Sequence, residues 1–100
     1  MSKKNSFQEV KRTYFGQLEK FVPVVDRIHG GSHPEFHDVK RAWETINMKT
    51  KVAGNTKPDL TDEFKELRKI TNNYLVPSDV CETYEWVYNV LKIIDEAFNA

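Results

Sequence analysis

Apolar residues recur at steps of three and four along most of this chain, and this spacing is the strongest constraint on its fold. The two clearest runs are Phe7, Val10, Tyr14, Leu18, Phe21, Val25 and Ile28 near the start and Val80, Tyr84, Val87, Leu91, Ile94 and Phe98 near the end. Because an α-helix turns once every 3.6 residues or so, such residues line one face of a helix. No stretch has the alternating pattern of a half-buried strand. The sequence therefore predicts an all-α fold.

Start and stop signals divide the pattern into four predicted helices, at about residues 6–29, 33–48, 60–73 and 79–98. Ser6 and Glu9 have the spacing of a capping box, which begins the first helix. Gly30 and Gly31 end it, since glycine favours a turn after a helix. Pro23 lies inside this helix and predicts a kink, because proline removes one amide and crowds the preceding turn.

Polar residues set the remaining boundaries. Ser32 is predicted to cap the second helix, with Glu35 reaching back three residues later. The third helix is expected to end at Asn72-Asn73, residue types that tolerate a left-handed conformation. Ser78 is placed to cap the fourth helix. The segment from Lys49 to Pro58 has no periodicity, which predicts an exposed, mobile loop.

Length and helix connections together predict one compact domain over residues 1–100. One hundred residues can build a single core but leave no room for a second domain. Four amphipathic helices joined by mostly short links favour an antiparallel up-down four-helix bundle. The apolar face of the fourth helix is widened by Trp86, Val90, Ile93 and Ala97. We therefore expect this helix to be either central and well covered or part of a dimer interface.

Charge and composition exclude several partners and favour the cytoplasm. Fifteen basic and fifteen acidic residues cancel without forming a long block, so the positive face that nucleic acid requires is missing. No apolar run is long enough to span a bilayer, and no basic amphipathic helix predicts membrane binding. Residues 1–5 lead straight into an amphipathic pattern rather than a signal peptide. The single cysteine, Cys81, cannot form an internal disulfide.

All three histidines fall within nine residues, and this cluster is the candidate metal site. His29 lies at the end of the first helix, and His33 and His37 lie at the start of the second. Two interpretations are open: helix-end and surface roles, which we favour, or a partial site in which Glu35 or Asp38 joins the histidines and a second chain completes the set. Such a partial site would take up nickel, copper or zinc readily in vitro.

Other residues that could carry chemistry have simpler structural explanations. Free cysteine is among the most buried residue types, so Cys81 is expected to be a packed core thiol. The tyrosines and tryptophans lie at helical spacing, which is typical of core residues rather than of a ligand pocket. No hydrolytic triad, phosphate-binding glycine loop or zinc-binding cysteine pair is present. The sequence leaves enzymatic activity open but favours a protein that is not an enzyme.

One long segment has a distinctive sequence that includes an irregular link as well as helices. Residues 67–84, Leu-Arg-Lys-Ile-Thr-Asn-Asn-Tyr-Leu-Val-Pro-Ser-Asp-Val-Cys-Glu-Thr-Tyr, followed by Val87, Tyr88, Asn89 and Leu91, resemble the closing half of the iron-sulfur cluster repair di-iron proteins. Residues 28–30 and 33–35 also resemble the region of the first histidine-bearing helix in some members. The resemblance covers about half of the chain and implies a hemerythrin-like four-helix domain.

The same resemblance implies a function but also a missing site. Members of that family hold two irons with histidines and bridging carboxylates, including a His-x-x-x-Glu on each of two helices, and take part in repair of iron-sulfur centres under oxidative or nitrosative stress. This chain contains no His-x-x-x-Glu. It therefore resembles a short, degenerate member with an incomplete di-iron site and an interaction or regulatory role, binding a protein partner or a second copy. The alternative is a metal-binding repair protein whose iron site is completed by dimerisation or a partner.

Overall fold

A computed structural model describes residues 6–100, which form four α-helices and no strand. Helix α1 spans Phe7–His29, α2 spans Glu35–Ala53, α3 spans Thr61–Ile70 and α4 spans Glu82–Phe98. The predicted all-α class is confirmed, and the arrangement is compatible with a four-helix bundle. Within residues 6–100, none of the helices is both long enough and apolar enough to cross a membrane. The prediction that residues 1–5 are not part of a signal peptide lies outside the described residues.

Helix α4 is the most buried helix, and it packs chiefly against α1. Its fully buried side chains include Tyr84, Val87, Leu91 and Ile94. The wide apolar face that the sequence predicted is covered inside the chain: Trp86 and Ile93 are partly buried against the core. The Trp86 ring meets Phe21 of α1 edge to face, with ring centroids 5.6 Å apart.

Helix α1 begins as its sequence indicates. The Ser6 hydroxyl accepts a hydrogen bond from the Glu9 amide at 3.2 Å, and the Glu9 carboxylate accepts one from the Ser6 amide at 2.9 Å. This reciprocal pair is the predicted capping box. The helix runs on through Pro23, which faces solvent, and ends at His29.

Helix α2 differs from its predicted bounds at both ends. It begins at Glu35 without a side-chain cap, so the predicted Ser32 cap is wrong. The Glu35 carboxylate contacts the His33 ring instead of a backbone amide. At the other end α2 continues past Met48 to Ala53, through the first half of the predicted loop.

Contacts with other helices account for this longer α2. Lys49 pairs with Glu63 of α3 at 2.8 Å, and Lys51 pairs with Glu19 of α1 at 2.7 Å. Thr50 is buried and donates to the Ile46 carbonyl at 2.7 Å. The two ion pairs join this part of α2 to residues at least fourteen positions away, which a local sequence pattern does not reveal.

The link between α3 and α4 adopts the left-handed conformation that its asparagines predicted. Helix α3 ends at Ile70, three residues before the predicted end, and Asn72, Asn73 and Tyr74 have φ values of 53°, 61° and 63°. The Thr71 hydroxyl accepts a hydrogen bond from the Tyr74 amide at 2.7 Å, and this bond stabilises the turn. Asparagine tolerates such φ values better than most residues, whereas an aromatic residue is seldom found there.

Helix α4 begins later than predicted. Its first residue is Glu82, and Cys81 rather than Ser78 lies at the N-cap, without a side-chain hydrogen bond. Ser78 and Asp79 lie in a turn, where the Asp79 carboxylate contacts His33. The predicted Ser78 cap is therefore wrong, because the chain uses this segment to reach the start of α2 before α4 begins.

A buried carboxylate joins α3, the left-handed turn and α4. Asp95 is 4% exposed. It accepts hydrogen bonds from Arg68 at 2.7 and 2.9 Å, from the Tyr74 hydroxyl at 2.7 Å and from the Asn99 amide at 2.6 Å. These donors balance its burial, since a buried charge is tolerated when it is paired and hydrogen-bonded.

We predict that Asp95→Asn lowers the free energy of unfolding by about 1.5–3 kcal/mol, the usual contribution of hydrogen bonds to a charged group. The amide turns a donor towards Arg68 or Tyr74 and removes the charge that balances Arg68. Urea unfolding followed by circular dichroism measures the change. The control is Asp38→Asn, whose exposed partner is Arg41, and which should cost less than about 1 kcal/mol. Equal losses in the two variants would contradict a structural role for the buried network.

Candidate functional site

The three histidines lie around the connection between α1 and α2. His29 is the last residue of α1, His33 lies in the connecting turn, and His37 lies in the first turn of α2. We call residues 29–37, together with the side chains they contact, the histidine corner. Its turn is tight, because the amides of Ser32 and His33 both donate to the His29 carbonyl, at 3.1 and 2.8 Å.

Gly30 makes the close packing of the histidine corner possible. A Cβ atom at this position would overlap the Asp26 carbonyl oxygen and would lie 2.6 Å from Cε1 of His37. Side-chain atoms in proteins do not approach each other so closely, so any other residue would push the His37 ring away from α1. The glycine that the sequence suggested as a helix stop is thus also required by the approach of α2.

His29 points towards the start of α4 and not towards the other histidines. Its Nε2 lies 3.1 Å from the sulfur of Cys81, and its ring meets Tyr84 edge to face at 5.4 Å. Cys81 is exposed, so the prediction of a packed core thiol is wrong. The reason is the late start of α4, which leaves Cys81 at the N-cap at the surface.

His33 lies between two carboxylates. Its Nδ1 is 3.1 Å from Glu35 and its Nε2 is 2.9 Å from Asp79. Burial, the largest single effect, lowers the pKa of His33, but the hydrogen bonds and charges of Glu35 and Asp79 together outweigh it and raise the pKa above its usual value. With both ring nitrogens donating, the protonated imidazole is the form that this arrangement favours.

His37 forms a third, separate pair across the two helices. Its Nδ1 lies 2.6 Å from Oδ1 of Asp26 on α1. The geometry of this close contact is not that of a hydrogen bond, since Oδ1 of Asp26 has no hydrogen-bond partner within residues 6–100. The His37 ring is about half exposed.

Aromatic side chains close the interior beneath the histidine corner. Tyr84 and Tyr88 of α4 are buried, and the Tyr84 hydroxyl donates to the Tyr88 hydroxyl at 2.9 Å. The Phe36 ring packs against both, with centroids 5.1 and 6.2 Å away. Burial raises the pKa of both tyrosines, so their hydroxyls stay neutral. These aromatics were expected to be core residues, and they are.

The four residues proposed as metal ligands, His29, His33, His37 and Glu35, do not converge. Only His33 and Glu35 are in contact. Across residues 6–100, no group of three or more histidine, cysteine, aspartate or glutamate side chains is placed to hold a metal ion. The assignment of these four residues as metal ligands stays a prediction.

Sequence reasoning named one partner of the histidines, Glu35, and missed the other three. Asp26, Asp79 and Cys81 each contact one histidine, and two of them lie far along the chain, at separations of 46 and 52 residues. No local motif relates such positions. Asp26 lies closer, one turn before Gly30, but its sequence position alone does not distinguish it from an ordinary surface aspartate.

Comparison with known proteins gives no family assignment: no family model, no curated protein and no solved structure matches the chain. The resemblance of residues 67–84 to the iron-sulfur cluster repair proteins therefore stays a prediction.

We predict that Asp79→Asn lowers the pKa of His33, because the substitution removes one of the two carboxylates that favour the imidazolium. Titration of the imidazole resonances by NMR measures the shift. The raised pKa of His33 also makes the stability of the fold depend on pH. The contribution of the His33 contacts to the free energy of unfolding is fully present below the pKa of an unfolded histidine, about 6.5, and is lost as pH rises through the pKa of His33 in the folded protein.

Asp38→Asn is the matched control for this titration, since Asp38 pairs with Arg41 and not with a histidine. It should leave the His33 pKa unchanged. A His33 pKa that is the same in wild type and Asp79→Asn would contradict the contact between the α3–α4 link and the histidine corner.

Proposed function

We propose that this chain is a small, cytoplasmic, hemerythrin-like protein related to the iron-sulfur cluster repair family, with an incomplete di-iron site and an interaction or regulatory role. The observation that carries the proposal is the separate pairing of the three histidines, to Cys81, to Glu35 with Asp79, and to Asp26. A scaffold with these residue types at one corner and no shared centre fits a relative that kept its helices and lost its metal.

The proposed topology is an antiparallel up-down bundle. Two side-chain contacts between α1 and α2 support it, because an early residue of one helix meets a late residue of the other. Lys11 donates to the Gly54 carbonyl at 2.9 Å, just past the end of α2, whereas Asp26 meets His37 near its start. Between α1 and α4, Phe7 packs on Phe98 with ring centroids 6.0 Å apart. Alternating directions of this kind are typical of up-down bundles.

Coordination chemistry supports the loss of the di-iron site. Two irons need several imidazoles and bridging carboxylates that converge from different helices. In this chain the ring nitrogens of His33 are both engaged by carboxylates, and Tyr84 and Tyr88 fill the interior beneath them. A metal bound there would have to displace these hydrogen bonds and compete with the proton that the raised pKa of His33 retains.

An open groove beside the histidine corner supports a binding role. It has a volume of about 570 Å³, and its walls combine apolar and polar residues of the α3–α4 link with Glu35 and Tyr88. Leu75 in this wall is 64% exposed. Since exposed apolar side chains beside a groove are typical of protein contact sites, we propose that a protein partner inserts an apolar side chain here.

The second candidate function is an iron-binding repair protein that becomes complete as a dimer. The contact between His29 and Cys81 favours it, because two potential metal ligands lie 3.1 Å apart and Cys81 is exposed. A second chain that brought the same pair to this surface would supply two imidazoles and two thiolates, a tetrahedral set that holds one metal ion rather than a di-iron centre.

The two candidates are separated by metal analysis of untagged protein purified from iron-replete cells. We predict well below one iron per chain, and a fold that survives His29→Ala and His33→Ala by circular dichroism, since neither residue belongs to the apolar core. Sedimentation of the same sample gives the oligomeric state.

Two tightly bound iron ions per chain would overturn the proposal and would favour a function in iron-sulfur cluster repair. Iron that is present only in a dimer and is lost in His29→Ala would support the second candidate. His37→Ala is the matched comparison for that variant, because His37 contacts Asp26 and not Cys81. It should leave the metal content of such a dimer unchanged.

A further inference from the structure

A second cavity lies between α1 and α2, at the opposite end of this helix pair from the histidine corner. It occupies about 490 Å³ and is open to solvent on one side. The first turns of α1 and the last turns of α2 form its walls. Cavities of about 300–1,000 Å³ are the usual size for small-molecule sites. Its walls include Lys11, Arg12, Gly16, Glu19, Asn47 and Lys51.

The walls of this α1–α2 cavity carry more positive than negative charge. Three cations, Lys11, Arg12 and Lys51, face one anion, Glu19. Glu19 is already engaged by Lys51 at 2.7 Å and by the Asn47 amide at 2.6 Å. Glu19 therefore does not pair with Lys11 or Arg12.

Neither of these two cations has a carboxylate contact within residues 6–100. Lys11 donates to the Gly54 carbonyl at 2.9 Å. Arg12 has Glu9 one turn before it, and the pKa of Glu9 is lowered chiefly by hydrogen bonds from Ser6 and less by the charge of Arg12. Glu9 is thus held by the helix cap and makes no salt bridge with Arg12 among residues 6–100, so the guanidinium fork of Arg12 has donors left for a second anion.

Gly16 is the second unusual feature of the α1–α2 cavity. It lies in the middle of α1, where glycine is the least favourable residue after proline. Neither a turn nor close packing requires it, because a Cβ atom at this position would meet nothing within 4 Å. The missing side chain leaves the helix backbone uncovered in the wall of the cavity, one turn after Arg12.

We propose that the α1–α2 cavity binds a small organic polyanion that carries at least two carboxylate or phosphate groups. Arg12 would bind one group through its fork, and Lys11 would bind the second as a point charge. The open space at Gly16 would admit the body of the ligand. Two uncompensated cations suit a compact ligand and not a nucleic acid, which requires a longer row of basic residues. This site does not depend on the function proposed for the histidine corner.

Calorimetric titration with citrate and with inorganic pyrophosphate at low ionic strength tests the site and separates carboxylate from phosphate ligands. We expect saturable binding of at least one probe at one site per chain. Arg12→Gln should weaken it by about tenfold or more, since a charge-assisted bidentate contact is lost. The control Lys20→Gln changes the net charge equally on the same helix but lies outside the cavity.

Gly16→Leu is the decisive variant, because unfolding cannot explain its expected result. Leucine favours a helix more than glycine does, so Tm should rise by about 4 °C. Its side chain would point back over the preceding turn and cover the approach to Arg12, so binding should fall by about tenfold or more at the same time.

Three results would overturn the proposal. One is no binding of either probe at millimolar concentration. Another is equal weakening by Lys20→Gln and Arg12→Gln, which would mean unspecific attraction to net charge. The last is unchanged binding in a stable Gly16→Leu protein, which would place the anion outside the cavity.

Discussion

The burial of α4 is the constraint on which the rest of this structure depends. An apolar arc as wide as that of α4 cannot be covered by one neighbour, so other helices must approach it from several sides. Helix α1 supplies the largest contact, and Phe36 of α2 packs on Tyr84 and Tyr88 near the start of α4. Asp95 then ties α3 and the left-handed turn to the far end of the same helix.

The same packing decides what the histidine corner can do. Because Tyr84 and Tyr88 fill the space beneath it, the imidazoles cannot point inward to a common centre and instead find partners at the surface. His29 meets Cys81, His33 meets two carboxylates, and His37 meets Asp26. The three histidines are neighbours in sequence and the turn at Gly30 is tight, yet each ring has its own partners.

The sequence predicted those parts of the fold that local chemistry determines. The bounds of α1 came within a residue of those observed because a capping box and a glycine pair mark its two ends, and the left-handed turn was visible in Asn72-Asn73. The end of α2 and the start of α4 were missed for a common reason. Lys51 and Asp79 are positioned by Glu19 and His33, which are distant in sequence. The candidate site was predictable only in part for the same reason: spacing identified the histidines and Glu35, but not Asp26, Asp79 and Cys81.

The central claim is that the three histidines act independently, and NMR of the imidazole rings during addition of ferrous iron tests it most directly. The account predicts that the pKa of His33 is raised above its usual value and that the three rings show no concerted change at one or two equivalents of iron near neutral pH. Iron bound at that stoichiometry, with the broadening of all three rings abolished equally by His29→Ala, His33→Ala and His37→Ala, would mean that the rings share a metal, and would contradict the account.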